Sequence, residues 1–157
     1  MNDIEIITRL RSASYSELSD TDRSLVDAAR AMTAKSYAPY SHFHVGAAIL
    51  LDNGEIVTGA NQENAAYPSG TCAERSACFW AGANYPQAKF EKIAIAAVGT
   101  DGKEVAEPCA PCGACRQALL EYEKLAGHPV QLLLVGSDAI YILPSVQSTL
   151  PLAFSEF

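Results

Sequence analysis

An α/β fold, with a mixed β-sheet packed by helices, is the architecture this sequence predicts, and three observations carry that reading. Short apolar runs of strand length alternate with two segments of helical periodicity. Two of the apolar runs flank Asp52-Asn53-Gly54, a hairpin signature. The order is then hairpin, helix, strand, helix, strand, which short and unknotted connections close into one layered sheet. With 157 residues, 49% of them hydrophobic, the chain falls in the single-domain range and can bury most of its apolar surface in one core. Residues 1–157 are therefore expected to form one domain, with residues 1–18 as an N-terminal extension.

Ile4 to Arg11 alternates imperfectly, as an extended arm or edge strand would. Ser19-Asp20-Thr21-Asp22 resembles a capping box, and Leu25, Val26, Ala29 and Met32 recur at helical spacing until Tyr37-Ala38-Pro39, so a helix is predicted over Asp20 to Lys35. Val45 to Leu51 and Glu55 to Ala60 form the hairpin strands, with Asn-Gly supplying the positive φ angles of the turn. The polar loop 61–70 ends in Ser69-Gly70-Thr71, which can cap a helix running from near Cys72 through Ala81. Lys92 to Val98 has strand length and Thr100 to Lys103 is a turn. A third helix is predicted from Cys112 to Leu125, strands at Gln131–Val135 and Ile140–Leu143, and a short final helix over Ser145 to Leu150. No repeat, linker or low-complexity tract interrupts this order.

Composition narrows the functional classes. No apolar run is long enough to span a bilayer, and Met1-Asn2-Asp3-Ile4-Glu5 has neither the basic start nor the apolar stretch of a secretion signal, so a cytoplasmic protein without membrane contact is expected. The formal net charge is −7, with Lys and Arg scattered along the chain. A protein that holds a nucleic-acid backbone against counterion competition needs a basic channel, and none is visible here.

The chemistry is concentrated in Cys72-Ala73-Glu74 and Pro111-Cys112-Gly113-Ala114-Cys115. Five cysteines, an odd number with two in Cys-x-x-Cys spacing, suit metal binding in a reducing compartment better than a disulfide framework. Cys-x-x-Cys alone is also compatible with a redox pair or half a zinc ribbon, but neither a second such pair nor a spaced His pair completes a ribbon. His42, His44 and His128 are expected at the surface or in loops. Three thiolates from Cys72, Cys112 and Cys115 leave one tetrahedral position of Zn²⁺ free, the mark of a catalytic rather than a closed structural site. Glu74 stands where it can move protons, although an acidic residue in a first helical turn also suits the dipole whatever else it does. The anionic site needs compensating positive charge, and Arg75 and Arg116 flank the ligands. Cys109-Ala110-Pro111-Cys112 is a competing pair, disfavoured because Pro111 would sit in its ligand turn without an N–H. Cys78 falls in the apolar half of its helix and reads as a core residue.

Asn61-Gln62-Glu63-Asn64-Ala65-Ala66-Tyr67, Thr71-Cys72-Ala73-Glu74-Arg75-Ser76-Ala77 and Pro111-Cys112-Gly113-Ala114-Cys115-Arg116-Gln117, together with Tyr37-Ala38-Pro39-Tyr40-Ser41-His42-Phe43 and Leu150-Pro151-Leu152-Ala153-Phe154, resemble the three-cysteine, homotetrameric cytidine deaminases. The motifs run from about Tyr37 to the C-terminus, and the ligand motif is selected without Cys109. The resemblance implies a cytidine deaminase-like fold and zinc-dependent hydrolytic deamination of cytidine and 2′-deoxycytidine in pyrimidine salvage, one Zn²⁺ per subunit, with Glu74 as the acid/base. It further implies that Arg75 donates to the ligand sulfurs, that Asn61 and Glu63 bind the ribose hydroxyls, that Phe43 contacts the nucleoside, and that Phe154 covers the base from a neighbouring subunit. The partners expected are a small nucleoside and further copies of this chain in a homotetramer with shared active sites. Three other readings compete: a deaminase of a different small molecule, against which the Asn61/Glu63 pattern speaks; a polynucleotide deaminase, against which the charge speaks; and a non-enzymatic zinc module, which would need a fourth protein ligand. Against compact members of that family, the stretch Thr100 to Ala110 and the N-terminal arm look like additions.

Overall fold

Two apolar faces on one sheet organise the chain, and alternate residues of the same strands serve each face. The computed structural model describes residues 1–155. Its six strands are β1 (Arg11–Ala13), β2 (His44–Leu51), β3 (Ile56–Ala60), β4 (Phe90–Val98), β5 (Gln131–Val135) and β6 (Ile140–Leu143), in the spatial order β1-β6-β5-β4-β2-β3. The three helices are α1 (Asp20–Thr33), α2 (Ala73–Asn84) and α3 (Gly113–Ala126). Only β4 and β5 pair in parallel, as Ile93 opposite Leu132 shows, and α3 makes the crossover between them. Among the described residues no helix is long and apolar enough to cross a membrane.

Strand periodicity separates the two cores. Ala47, Ile49, Ile93, Ile95, Leu132 and Leu134 face α2 and α3, whereas Ala48, Ala94, Ala96, Leu133 and Val135 face α1. Each helix buries one stripe to match: Leu25, Val26 and Ala29 in α1; Ala73, Ala77, Cys78 and Ala81 in α2; Cys115, Leu119, Leu120 and Ala126 in α3. The α2 stripe is almost all alanine, so this helix lies unusually close to the sheet. A Cβ added to Gly59 of β3 would stand 2.5 Å from Ala77 N and 2.6 Å from Ala73 O.

Local signals set the element ends. Ser19 caps α1 by accepting from Asp22 N at 3.1 Å, and Gly127 closes α3 in the left-handed region at φ +75°. Helix α1 ends at Thr33, two residues short of the expected Lys35, because Lys35 N turns back to Met32 O. In the hairpin turn the positive φ lies at Gly54 alone (+86°), with Gly54 N donating to Leu51 O at 2.9 Å and Leu51 N to Glu55 O at 2.9 Å, so Asn53 does not take the left-handed conformation the Asn-Gly pair suggested. The final helix is a single 3₁₀ turn at Gln147–Thr149.

The two additions have definite places. The edge strand expected within Ile4 to Arg11 begins only at Arg11, where Arg11, Ser12 and Ala13 pair antiparallel with Ile142, Tyr141 and Ile140 of β6. Leu18 enters the α1-side core, so part of the 1–18 extension completes the sheet. The 100–110 stretch is tied down at several points: Glu104 takes two hydrogen bonds from the Arg30 guanidinium at 2.7 and 3.1 Å, and Ser137 N donates to Val105 O at 2.9 Å.

Candidate active site

Because β3 and β4 both run antiparallel to the β2 between them, their C-terminal ends lie at the same end of the sheet. Each strand leads, through a loop, into a helix that starts there. The first residues are the ones the motifs single out: Cys72 is the N-cap of α2 and Cys112 the N-cap of α3, with closely similar backbone angles (φ −74°, ψ 157° and φ −66°, ψ 165°). Cysteine takes the position that Ser69-Gly70-Thr71 was expected to fill, and neither thiol makes a capping bond. Two sets of unsatisfied N–H groups and two positive dipole ends thus converge on the sulfurs, favouring their anionic form.

Cys115 lies one turn into α3 and is fully buried; Cys72 is half-buried and Cys112 exposed. Among the described residues these three form the one cluster of potential metal ligands, their Sγ atoms all within 4.8 Å of one another and those of Cys72 and Cys112 4.0 Å apart. Zinc bound at about 2.3 Å in a tetrahedron spaces its sulfurs by about 3.8 Å, so this trio fits the ion, with no fourth protein ligand present among the described residues. Cys109 stands outside the cluster, and burial raises its thiol pKa. Cys78 is buried in the core with its thiol pushed up to about 12 by burial.

The thiols also interact with one another. A hydrogen bond from Cys115 and contact with the Arg75 guanidinium lower Cys72 to about 5, while the same hydrogen bond, and then burial, raise Cys115. Of these two thiols Cys72 is the one that gives up its proton readily, as a ligand must before it binds a cation. Arg75, in the first turn of α2, reaches Cys72 Sγ at 4.0 Å through a terminal nitrogen, and its buried Nε has no hydrogen-bond partner among the described residues. Glu74 is only 4% exposed. Burial first, and then the charge of Cys72, raise its carboxyl pKa, so the protonated form is stabilised beside the sulfurs.

A cavity of about 430 Å³ adjoins this cluster, lined by Tyr40, Ser41, Asn61, Glu63, Cys72 and Arg75 among others. That volume is in the range that accommodates a small-molecule ligand. Glu63 is held by the loop it faces: it accepts from Tyr40 N at 2.9 Å, Ser41 N at 3.2 Å and the Ser41 hydroxyl, and the Ser41 bond holds its pKa below the usual carboxylate value. Asn61 accepts from Val45 N at 2.8 Å and donates to Phe43 O at 3.0 Å. Both side chains thus fix the 40–45 segment, a role invisible in the sequence because these partners lie 16 or more positions away.

Within one chain the structure does not bring the two candidate phenylalanines to the cavity. Phe43 is half-buried just before β2, and Phe154 is 69% exposed, its carbonyl accepting from Gln117 Nε2 at 2.8 Å. Arg116, suggested as a charge flanking the ligands, spends its guanidinium on carbonyls: Nε donates to Pro111 O at 2.8 Å and a terminal nitrogen to Thr149 O at 3.0 Å. Two of the histidines are likewise tied down: His44, expected at the surface or in a loop, opens β2 and pairs with Ser36, while His128 lies in a loop as expected and pairs with the Phe90 carbonyl.

Residues 19–126 match the family described as the cytidine and deoxycytidylate deaminase zinc-binding region. The chain is 40% identical over 122 residues to the cytidine deaminase of Sporosarcina psychrophila, covering 78% of this chain and 82% of that one. It is 45% identical over 86 residues to the cytidine deaminase of Halalkalibacterium halodurans, a match that spans 55% of this chain and 60% of that relative's length. Among solved structures it is similar to the cytidine deaminase of Burkholderia pseudomallei, with a TM-score of 0.68 and 37% identity over 83% of this chain and 97% of that one. The cytidine deaminase of Mycobacterium tuberculosis gives a TM-score of 0.64 at 33% identity over 88% and 99%.

Proposed function

We propose, because this chain belongs to the cytidine and deoxycytidylate deaminase family, that it hydrolyses cytidine and 2′-deoxycytidine to uridine and 2′-deoxyuridine with release of ammonia. The observation that carries this reading is the convergence of three thiols at two helix N-termini, with the buried carboxyl of Glu74 interacting with Cys72 and Cys115 and with Cys72 lining a ligand-sized cavity. Cys72, Cys112 and Cys115 hold zinc, which supplies the Lewis acidity that makes water a nucleophile at neutral pH.

The protein's own groups account for the rest. Glu74 takes one proton from the attacking water and delivers it to N3, then takes the proton of the new C4 hydroxyl and delivers it to the amino group, so that the C4–N bond breaks and uridine and ammonia form in balance. Its raised pKa suits this duty, since a carboxyl that holds a proton readily can also return one. Arg75 offsets thiolate charge at Cys72. Asn61 and Glu63 receive the ribose: each side-chain atom of Asn61 keeps a second hydrogen-bonding position, and Glu63 has about four acceptor sites of which three are used. Phe43 and Phe154 contact the nucleoside in an assembled homotetramer, Phe154 reaching a neighbour's site; its position away from its own cavity supports that assignment. The net charge of −7 favours a free nucleoside over a polynucleotide. We assign the enzyme to pyrimidine salvage in the cytoplasm, as a single deaminase domain.

Glu74→Gln tests the assignment. The amide keeps the shape and loses the proton, so zinc content should remain at the wild-type level while kcat falls by roughly 100-fold to 10,000-fold. Wild-type turnover in that variant would refute the role of Glu74. Asn61→Ala and Glu63→Ala should impair cytidine far more than any turnover of free cytosine, and equal losses on both would remove the ribose assignment.

A further inference from the structure

Cys112 is the exposed member of the ligand trio, whereas Cys115 is sealed in the core, so packing alone does not fix the direction of the Cys112 thiol. Its orientation depends on the Pro111–Cys112 peptide plane. Arg116 holds the planes on both sides of Cys112: its Nε donates to Pro111 O at 2.8 Å, in the plane before it, and its backbone N to Cys112 O at 2.9 Å, in the plane after it. A carbonyl and the next residue's N–H share one rigid plane, so holding Pro111 O also sets the bond from which the Cys112 side chain departs.

The other arm of the guanidinium reaches a separate part of the chain. It donates to Thr149 O at 3.0 Å, within the 3₁₀ turn Gln147–Thr149. That turn is itself anchored to α3 by the buried carboxylate of Glu123, which accepts from Val146 N at 2.7 Å and Gln147 N at 3.0 Å as well as from Val130 N at 2.8 Å. Arg116 and Glu123 are seven residues apart, two turns along one face of α3. A cation near a helix N-terminus opposes the dipole, so helix stability does not explain Arg116; its two carbonyl partners do.

We propose, resting on the zinc reading above, that Arg116 is a positioning residue that braces the ligand Cys112 against the C-terminal turn, with Glu123 as the far anchor of the brace. The 146–149 segment thereby supports the metal site of its own chain, independently of anything the chain beyond it contributes to a neighbour. Metal retention should depend on Arg116 although it touches neither sulfur nor substrate.

The test measures release of zinc from purified protein to a chromophoric chelator, and the cobalt-thiolate absorption after metal exchange, in wild type, R116A, R116Q and R116K. Thermal unfolding is recorded for each, and R30A serves as control, because it breaks the Arg30–Glu104 pair on α1, remote from the ligands. R116A and R116Q should release zinc on the order of 10-fold to 100-fold faster and show altered cobalt-thiolate bands. R116K, offering one point donor instead of a fork, should lie between them and wild type. R30A should lose thermal stability yet release zinc at the wild-type rate. R116Q and R116K carry the test where R116A does not fold. Wild-type release in both, or release that follows the unfolding temperature equally in R30A, would overturn the brace, whereas a wild-type protein that binds no zinc would overturn the metal reading beneath it.

Discussion

Replacing Gly59 by alanine adds one methyl group to β3 and should disable a site that it never touches. The new Cβ would stand 2.5 Å from Ala77 N and 2.6 Å from Ala73 O, where ordinary contact begins at 3.4 Å. Helix and strand must therefore separate by roughly 0.8 to 0.9 Å to relieve the overlap. The strand has little freedom to yield, since Gly59 is paired with Ala47 and β2 is paired in turn with β4. The shift accordingly falls on the first turns of α2. Ala73 O lies between Cys72 and Glu74 in the chain, so the displaced turn is the one bearing the ligand Cys72, the buried carboxyl of Glu74 and Arg75. Overpacking of this kind costs about 1 to 3 kcal/mol, a fall in Tm of roughly 2 to 12 °C for a chain of this size. Misplacing a catalytic group by about 1 Å costs on the order of 100-fold in rate. The assay is kcat and KM with cytidine, zinc content by atomic absorption, and Tm by calorimetry. Gly113→Ala, with nothing within 4 Å of the added Cβ, is the control for Tm and should not lower it. Gly59→Ala with wild-type Tm and wild-type kcat would refute the claim that close packing of α2 on β3 sets the site geometry.

Two further outcomes follow from the same geometry. Cys72→Ala, Cys112→Ala and Cys115→Ala should each lose zinc, whereas Cys109→Ala and Cys78→Ala should keep it, since neither of the latter lies in the sulfur cluster; zinc loss from Cys109→Ala would mean that the ligand set is wrong. A chain truncated after Pro151 keeps Thr149 for Arg116 but lacks Phe154, and co-expressed with Glu74→Gln it should regain activity in mixed oligomers that neither homo-oligomer shows. Absence of recovery in mixed oligomers verified by mass spectrometry would show that Phe154 does not act across subunits.

Most of the frame was legible in the sequence because local chemistry dictates it. Strands β5 and β6 fall at Gln131–Val135 and Ile140–Leu143 as expected, being apolar runs bounded by Pro129, Gly136 and Pro144. The ligand trio was legible for a different reason: a zinc site demands particular residue types at particular spacing. What escaped depends on partners distant in the chain. The edge strand starts at Arg11 rather than Ile4 because β6, 127 or more residues further on, decides which residues pair. Arg116 read as a charge flanking the ligands because its partner Thr149 lies 33 positions away, and nothing in the sequence sets Glu123 apart in a helix rich in polar residues, although it is buried against three backbone N–H groups. The hold of Asn61 and Glu63 on the 40–45 segment escaped for the same reason. A motif names the residue but not the loop that has closed over it.

The central claim is that this zinc–thiolate site with its buried acid deaminates a cytosine nucleoside, and the most direct measurement follows both metal and product in one preparation. Purified protein is assayed for zinc per chain, for loss of cytidine absorbance and for ammonia released, then stripped with a chelator and reconstituted. One zinc per chain is expected, with ammonia equal to cytidine consumed, loss of activity with the metal and its return on adding zinc. A zinc-loaded, folded protein that releases no ammonia from cytidine or 2′-deoxycytidine would contradict the claim.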